Sequence, residues 1–146
     1  MDDIDDSIAK ILEAYRAAVL ARDVAAFMRL YDPKVRVFDT WGIWSYEGAA
    51  SWQTAVEGWF ASLGSERVKV SFEAVQTLGT DEFANVSAIV TYAAVTAQGE
   101  PLRAMQNRLS WALRKSGHVL RIVHEHTSAP VGFEDQQAIL KRAADV

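Results

Sequence analysis

The spacing of apolar residues differs between the two halves of the chain, and this difference restricts the folds open to it. Over residues 4–31 and 49–63, apolar residues recur at spacings of three and four, which is the repeat of a helix that packs on one face, and only short extended runs lie between these segments. Beyond residue 67, alternating or β-branched-rich runs are separated by turns that contain Gly or Pro. Strands joined by short turns pair in antiparallel order. The sequence therefore predicts an α+β fold, with helices packed on one face of a curved sheet.

Element boundaries follow from the same pattern. The expected helices cover residues 4–22, 24–31 and 49–63. The expected strands cover residues 35–39, 44–46, 68–74, 83–96, 102–114 and 118–128. Asp23 is a residue type that caps a helix N-terminus, and Pro33 disfavours a helical conformation at Asp32, which should end the second helix.

A length of 146 residues fits one domain. We place this domain at residues 1–130 and expect a C-terminal tail over 131–146. The tail is a helix over 134–144, where the apolar stripe is thin, or a mobile segment, or an arm that contacts a partner.

Composition narrows the classes of partner and compartment. The net charge of −4 argues against nucleic acid or an anionic membrane as the main partner, because both select clustered positive charge. The absence of cysteine excludes disulfides, cysteine nucleophiles and thiolate metal sites. The acidic N-terminus is unlike a secretory signal, and no apolar run is long enough to span a bilayer, so we expect a cytoplasmic protein.

Asp39 is the first residue that can carry chemistry. It shares strand parity with Val35 and Val37, which should face the core, and four of the five tryptophans lie close by, between Trp41 and Trp59. A carboxylate in such surroundings loses hydration, which raises its pKa and suits it to act as a general base. The alternative is that Asp39 simply caps the turn at Gly42.

His124 and His126 share parity with Leu120 and Ile122, so we expect both rings to point towards the helices. There they can bind a ligand or shuttle protons. The remaining histidine, His118, lies at a turn, and a metal site needs three or four ligands, so we expect no metal. The alternative is a structural role at the sheet edge.

Two further side chains have open roles. Tyr15 lies on the apolar stripe of the first helix and can donate a hydrogen bond to a developing oxyanion. Arg108 has parity opposite to Leu109 and Trp111, so which of these faces the interior is left open.

Three local strings, in this order and spacing, resemble the nuclear transport factor 2-like superfamily, in its SnoaL-like and ketosteroid isomerase-like branch. They are Ala-Tyr-Arg at 14–16 with Ala-Arg-Asp at 21–23, the segment 31–42, and the segment 122–130. The last segment is also similar to the end of the calcium/calmodulin-dependent protein kinase II association domain.

The resemblance implies a cone-shaped, strongly bent sheet wrapped round three helices, with an apolar pocket and a homodimer formed through the outer sheet face. Asp39 falls at the position of the isomerase base, and Tyr15 falls at that of its oxyanion donor. The second donor in isomerases is an acid on the penultimate strand, but Arg108-Leu109-Ser110 holds none here. His124 and His126 are the expected substitutes.

We therefore expect a small-molecule enzyme of the isomerase, dehydratase or cyclase kind, without cofactor or metal. Asp39 would be the base, with Tyr15, His124 and His126 stabilising charge. The expected ligand-binding residues are Trp41, Trp44, Tyr46, Trp59, Phe60, Tyr92 and Arg108.

Two alternatives remain at this stage. The same pocket can bind an apolar ligand without chemistry. Otherwise the chain is an association domain, in which Leu109, Trp111 and Leu113 form an exposed stripe at a dimer interface.

Overall fold

The computed structural model describes residues 3–142 and confirms the α+β class. Its helices are α1 (Ile4–Ala21), α2 (Val24–Met28) and α3 (Ala49–Ser62). Its strands are β1 (Tyr31–Phe38), β2 (Tyr46–Glu47), β3 (Arg67–Gly79), β4 (Phe83–Val95), β5 (Pro101–Ser116) and β6 (Val119–Ser128).

All six strands form one curved sheet in the order β2-β1-β6-β5-β4-β3. The last four strands make the predicted antiparallel meander. β1 joins this meander in parallel with β6, so that Phe38 lies beside His126. The parallel pairing brings the residues that follow β1 next to the C-terminal end of β6, which is where the candidate site forms.

Both N-terminal helices begin at an aspartate cap, as predicted for Asp23. Asp3 accepts a hydrogen bond from the backbone N–H of Asp6 at 2.8 Å, and Asp23 accepts one from that of Ala26 at 3.0 Å. Arg22 takes a left-handed conformation with φ of 54° and ends α1. Each cap satisfies a backbone N–H that the first helical turn leaves without a partner.

The second helix is shorter than predicted. It ends at Met28, and Tyr31 already belongs to β1, so the Asp32–Pro33 pair lies within a strand and does not end a helix. Tyr31 departs from the helical pattern because its buried hydroxyl donates a hydrogen bond to Glu125 Oε1 on β6 at 2.6 Å.

The second short strand is also smaller than expected. Only Tyr46 and Glu47 pair with β1, while residues 40–44 form bends. Trp44 belongs to this loop and is 96% exposed, so it does not take part in an extended segment.

The tail does not form the expected helix over its described part. Residues 134–142 make turns and one bridge between Val131 and Ala138, and residues 143 and 144 lie outside the described residues. Gln136 has a φ of 58°, which a helix does not tolerate. The tail returns to β5, where the backbone N–H of Gln106 donates to the carbonyl of Leu140 at 2.7 Å.

The core lies between the helices and the inner face of the sheet. Leu109, Trp111 and Leu113 are 1%, 0% and 0% exposed, so they pack under the helices and do not form an outer dimer stripe. That expectation was wrong because the parity of β5 assigns this face to the interior. Among the described residues, no helix is long and apolar enough to cross a membrane.

Candidate functional site

A cavity of about 460 Å³ opens between the helices and the inner face of the sheet. Most of its wall is apolar or aromatic. The charged, amide and phenol side chains that line it are Tyr15, Asp39, Tyr46, Tyr92, Arg103, Asn107 and Glu125. Few polar groups in an apolar concavity are typical of a small-molecule site.

Asp39 follows β1 directly and lines this cavity. Its Oδ1 accepts a hydrogen bond from Thr127 Oγ1 at 3.1 Å, and Thr127 Oγ1 accepts one from the backbone N–H of Thr40 at 2.8 Å. Burial raises the pKa of the Asp39 carboxyl, while hydrogen bonds from Thr127 and from the amides of Trp41 and Thr40 oppose that rise. The carboxyl is thus held in a fixed place with a pKa above its ordinary value.

β6 contains one extra residue relative to β5. Ile122 pairs with Leu113 and His124 pairs with Ala112, which leaves Val123 without a partner in this register. Such a bulge shifts strand parity by one residue. Ile122 faces inwards before the bulge, and Glu125 and Thr127 face inwards after it.

The bulge overturns the prediction for the two histidines, which lie on the outer face. His124 Nδ1 forms a hydrogen bond with the carbonyl oxygen of Arg36 at 2.7 Å. The ring of Phe38 contacts both imidazoles, with centroid distances of 5.0 Å to His124 and 5.5 Å to His126. Neither histidine lines the cavity. Within residues 3–142, no group of three or more His, Cys, Asp or Glu side chains could hold a metal ion.

Glu125 takes the inward position that the histidines were expected to fill. It is 2% exposed, and its Oε1 accepts hydrogen bonds from the Tyr31 hydroxyl at 2.6 Å and from Trp111 Nε1 at 2.9 Å. Burial raises the pKa of this carboxyl to about 7, and repulsion from Asp39 adds to the rise. Both hydrogen bonds reach Oε1, so Oε2 accepts neither of them, and Glu125 is one of the residues that line the cavity.

Tyr15 and Tyr92 form a second polar pair. Their hydroxyls lie 2.8 Å apart, and burial raises the pKa of both phenols. One hydroxyl donates to the other, so the pair keeps one proton that can be donated to a ligand in the cavity. Ionised Glu125 raises the pKa of both phenols further, so these groups act on one another.

Four of the seven expected ligand-binding residues line the cavity, and three do not. Trp41, Tyr46, Trp59 and Tyr92 lie in its wall. Trp44 is exposed on the loop, Phe60 packs in the core against Phe27, and Arg108 points outwards to Ser128 Oγ at 3.1 Å. Trp44 lies in the bends that precede β2 and not in a strand. Arg108 lies on the outer face of β5, opposite in parity to Leu109.

Sequence reasoning missed three polar residues of the wall. Arg103 and Asn107 share parity with Leu109, and that signal would have found them once the inner face of β5 was known. Glu125 had no such signal, because strict alternation along β6 places it outside.

The comparisons with known proteins agree with this architecture. The family model described as SnoaL-like domain matches residues 8–132. The chain therefore belongs to the SnoaL-like family, as the resemblance predicted. No curated protein matches the sequence closely enough to count as a relative.

Solved structures share the fold at low identity. An NTF2-like protein of unknown function from Pseudomonas putida KT2440 superposes with a TM-score of 0.82 at 18% identity, covering 94% of each chain. A protein with a cystatin-like fold from Caulobacter vibrioides gives 0.68 at 17% identity, covering 85% of this chain and 87% of its own. A proposed calcium/calmodulin-dependent protein kinase II association domain from Xanthomonas campestris gives 0.67 at 17%, covering 84% and 85%.

The raised pKa of Glu125 predicts a dependence of stability on pH. The folded protein holds this proton up to about pH 7, whereas an unfolded glutamate releases it near 4.5. Its contribution to stability is therefore complete below about pH 4.5 and is lost as the pH rises to about 7. A rise of this size corresponds to about 3 kcal/mol, because one pKa unit is worth about 1.4 kcal/mol.

Glu125→Gln removes this titration and keeps an amide oxygen that accepts the same two hydrogen bonds. Urea unfolding at several pH values should show the wild type losing stability relative to this variant as the pH rises. The exposed Glu134→Gln serves as the matched control and should follow the wild type. A constant difference between the wild type and Glu125→Gln at every pH would show that Glu125 does not titrate in this range.

Proposed function

We propose that this member of the SnoaL-like family is an acid–base enzyme that acts on an apolar small molecule carrying a carbonyl group. The observation that carries the proposal is the pairing of two carboxyls, Asp39 and Glu125, in one apolar cavity. Their environments differ, so they can carry different charges at the same pH. Pairs of carboxyls whose environments give them different pKa values are typical of sites that use one group as base and another as acid.

Asp39 is the proposed base. Its carboxylate accepts three hydrogen-bond donors, which favour the ionised form, while burial weakens its hydration. In the proposed step, Asp39 removes a proton from the carbon next to the carbonyl. The electron pair of that C–H bond moves into a C=C bond, and the carbonyl oxygen becomes an enolate.

Glu125 and the tyrosine pair are the proposed donors to that enolate oxygen. Neutral Glu125 has a proton to donate from Oε2, since its two hydrogen bonds go to Oε1. The pair of Tyr15 and Tyr92 has one further proton. Donors that are fixed in place within a cavity stabilise developing negative charge more effectively than water does.

The fate of the enolate decides the overall reaction. Return of the proton to another carbon gives an isomer. Loss of a hydroxyl from the β-carbon, with a proton from Glu125 so that water leaves, gives a dehydration product. Attack on a second carbonyl, whose oxygen takes up a proton from Glu125, gives a ring. The proposed steps use the side chains alone and require no cofactor.

The association role has less support than the enzyme. The likeness to the Xanthomonas campestris protein concerns the fold. The side chains expected at the dimer interface, which included Trp111, are buried under the helices. A homodimer through other residues of the outer sheet face remains compatible with the proposal.

Asp39→Asn tests the base. The probe is 2-tetralone, a two-ring ketone whose α-protons exchange with heavy water when a base removes them. We expect the wild type to accelerate this exchange and Asp39→Asn to slow it by about 100-fold or more, because a positioned base contributes about 10²–10⁴-fold. Mass spectrometry of the recovered ketone measures the exchange.

The control for this variant is Asp81→Asn, which removes an exposed carboxylate from the turn between β3 and β4. It should exchange 2-tetralone at the wild-type rate. Wild-type exchange that survives unchanged in Asp39→Asn would refute the assignment of the base.

The rate of exchange should also depend on pH in a bell shape. It should rise with pH as Asp39 ionises, at a pKa above the ordinary value, and fall as Glu125 ionises near pH 7. In Glu125→Gln the fall near pH 7 should disappear while the rise remains. A fall near pH 7 that persists in Glu125→Gln would assign the acid to another group.

A further inference from the structure

Arg103 is the one cationic side chain among the described residues that line the cavity. It lies near the start of β5, on the same face as Met105 and Asn107. Its guanidinium forms two parallel hydrogen bonds with Glu66, from Nη1 to Oε1 at 3.2 Å and from Nη2 to Oε2 at 2.7 Å. This fork is the geometry in which arginine binds a planar carboxylate.

The chain segment that carries Glu66 contacts three arginines. Arg22 donates to the carbonyl of Gly64, and Arg67 donates to the carbonyls of Ser65 and Glu66 at 3.1 Å each. Of the three, Arg103 is the one that binds the Glu66 carboxylate and lowers its pKa, and it is the one that lines the cavity. Arg103 therefore supplies the positive charge at this rim of the cavity.

The ion pair itself is easy to replace. The side chains of Arg103 and Glu66 are 63% and 30% exposed. An ion pair between exposed groups adds little to stability, because water screens the charges and two long side chains lose freedom. An anion that enters the cavity can therefore take the place of Glu66 without unfolding any element.

The charge at the rim is separate from the proposed base. The Asp39 carboxyl is held by Thr127 and by backbone amides, whereas Arg103 is held by Glu66. The pKa of Asp39 is shifted by burial and by its own hydrogen bonds, with no contribution from Arg103. An anion bound at Arg103 would therefore leave Asp39 able to act on another part of the same ligand.

We propose that Arg103 binds a carboxylate of the ligand, that Glu66 occupies this position when the cavity is empty, and that the substrates are apolar carboxylic acids. The inference rests on the proposed function in so far as an apolar molecule enters this cavity. It adds a specificity determinant that acts away from the reacting carbon.

The test uses two ligands of nearly the same shape, 2-naphthoate and the neutral 2-naphthamide, titrated by calorimetry at pH 7.5 into the wild type, Glu66→Gln and Arg103→Gln. The wild type should prefer the acid about fivefold or more, the gain expected from one charge-assisted hydrogen bond. Glu66→Gln should increase the preference about threefold or more, because it removes the competing carboxylate. Arg103→Gln should abolish the preference.

Arg108→Gln is the matched control, since it removes an arginine from the outer face of β5 and should keep the wild-type preference. Circular dichroism of each variant establishes that it is folded. An equal preference for the acid in Arg103→Gln and the wild type would overturn the proposal, as would an unchanged or weaker preference in Glu66→Gln.

The two proposals fail separately. Wild-type exchange of neutral 2-tetralone tests the base without any anion, whereas the naphthoate titration measures binding without any reaction. Preference for the acid through Arg103 without proton exchange would support the carboxylate site and contradict the proposed enzyme. Proton exchange without this preference would support the proposed enzyme and contradict the carboxylate site.

Discussion

The unpaired residue Val123 decides which side chains of β6 reach the cavity. Without it, β6 would keep the parity of Ile122 and present its two histidines to the helices. With it, Glu125 and Thr127 turn inwards, where the first meets Tyr31 and Trp111 and the second meets Asp39. The polar half of the site therefore depends on one local irregularity in the pairing of two strands.

The inward position of Glu125 places a second carboxyl in the cavity with Asp39, and their hydrogen bonds decide which of the two is ionised. Two carboxyls share an apolar cavity, and the charge of Asp39 disfavours the ionisation of Glu125. Asp39 receives donors from Thr127 and from two backbone amides, which stabilise its ionised form. Glu125 receives only the donors of Tyr31 and Trp111 against complete burial, and its pKa rises to about 7. The two groups thereby reach different protonation states within one cavity.

The alternation of inward and outward side chains along a strand correctly predicted the part of the site where the strands pair regularly. Arg36, Val37 and Phe38 pair with β6 without a break, and Asp39 follows directly, so the parity that it shares with Val37 placed it at the cavity from sequence. The same reasoning failed for His124 and His126. A bulge is defined by the pairing of two strands, so the sequence of β6 alone does not predict it. Trp44 was misplaced for a related reason, since a loop of bends has no parity. Tyr31 left its predicted helix because a buried hydrogen bond to a distant residue outweighed local spacing.

A carbon-13 NMR titration of the side-chain carboxyls measures the two protonation states, with Glu125→Gln and Asp39→Asn used to assign the signals. We expect Glu125 to change protonation with a midpoint of about 7 and Asp39 to ionise at lower pH, still above its ordinary range. The midpoint of Glu125 should fall in Asp39→Asn, because that variant removes a neighbouring negative charge. A midpoint for Glu125 near its ordinary value of 4.5 would show that the two carboxyls do not differ in protonation as proposed.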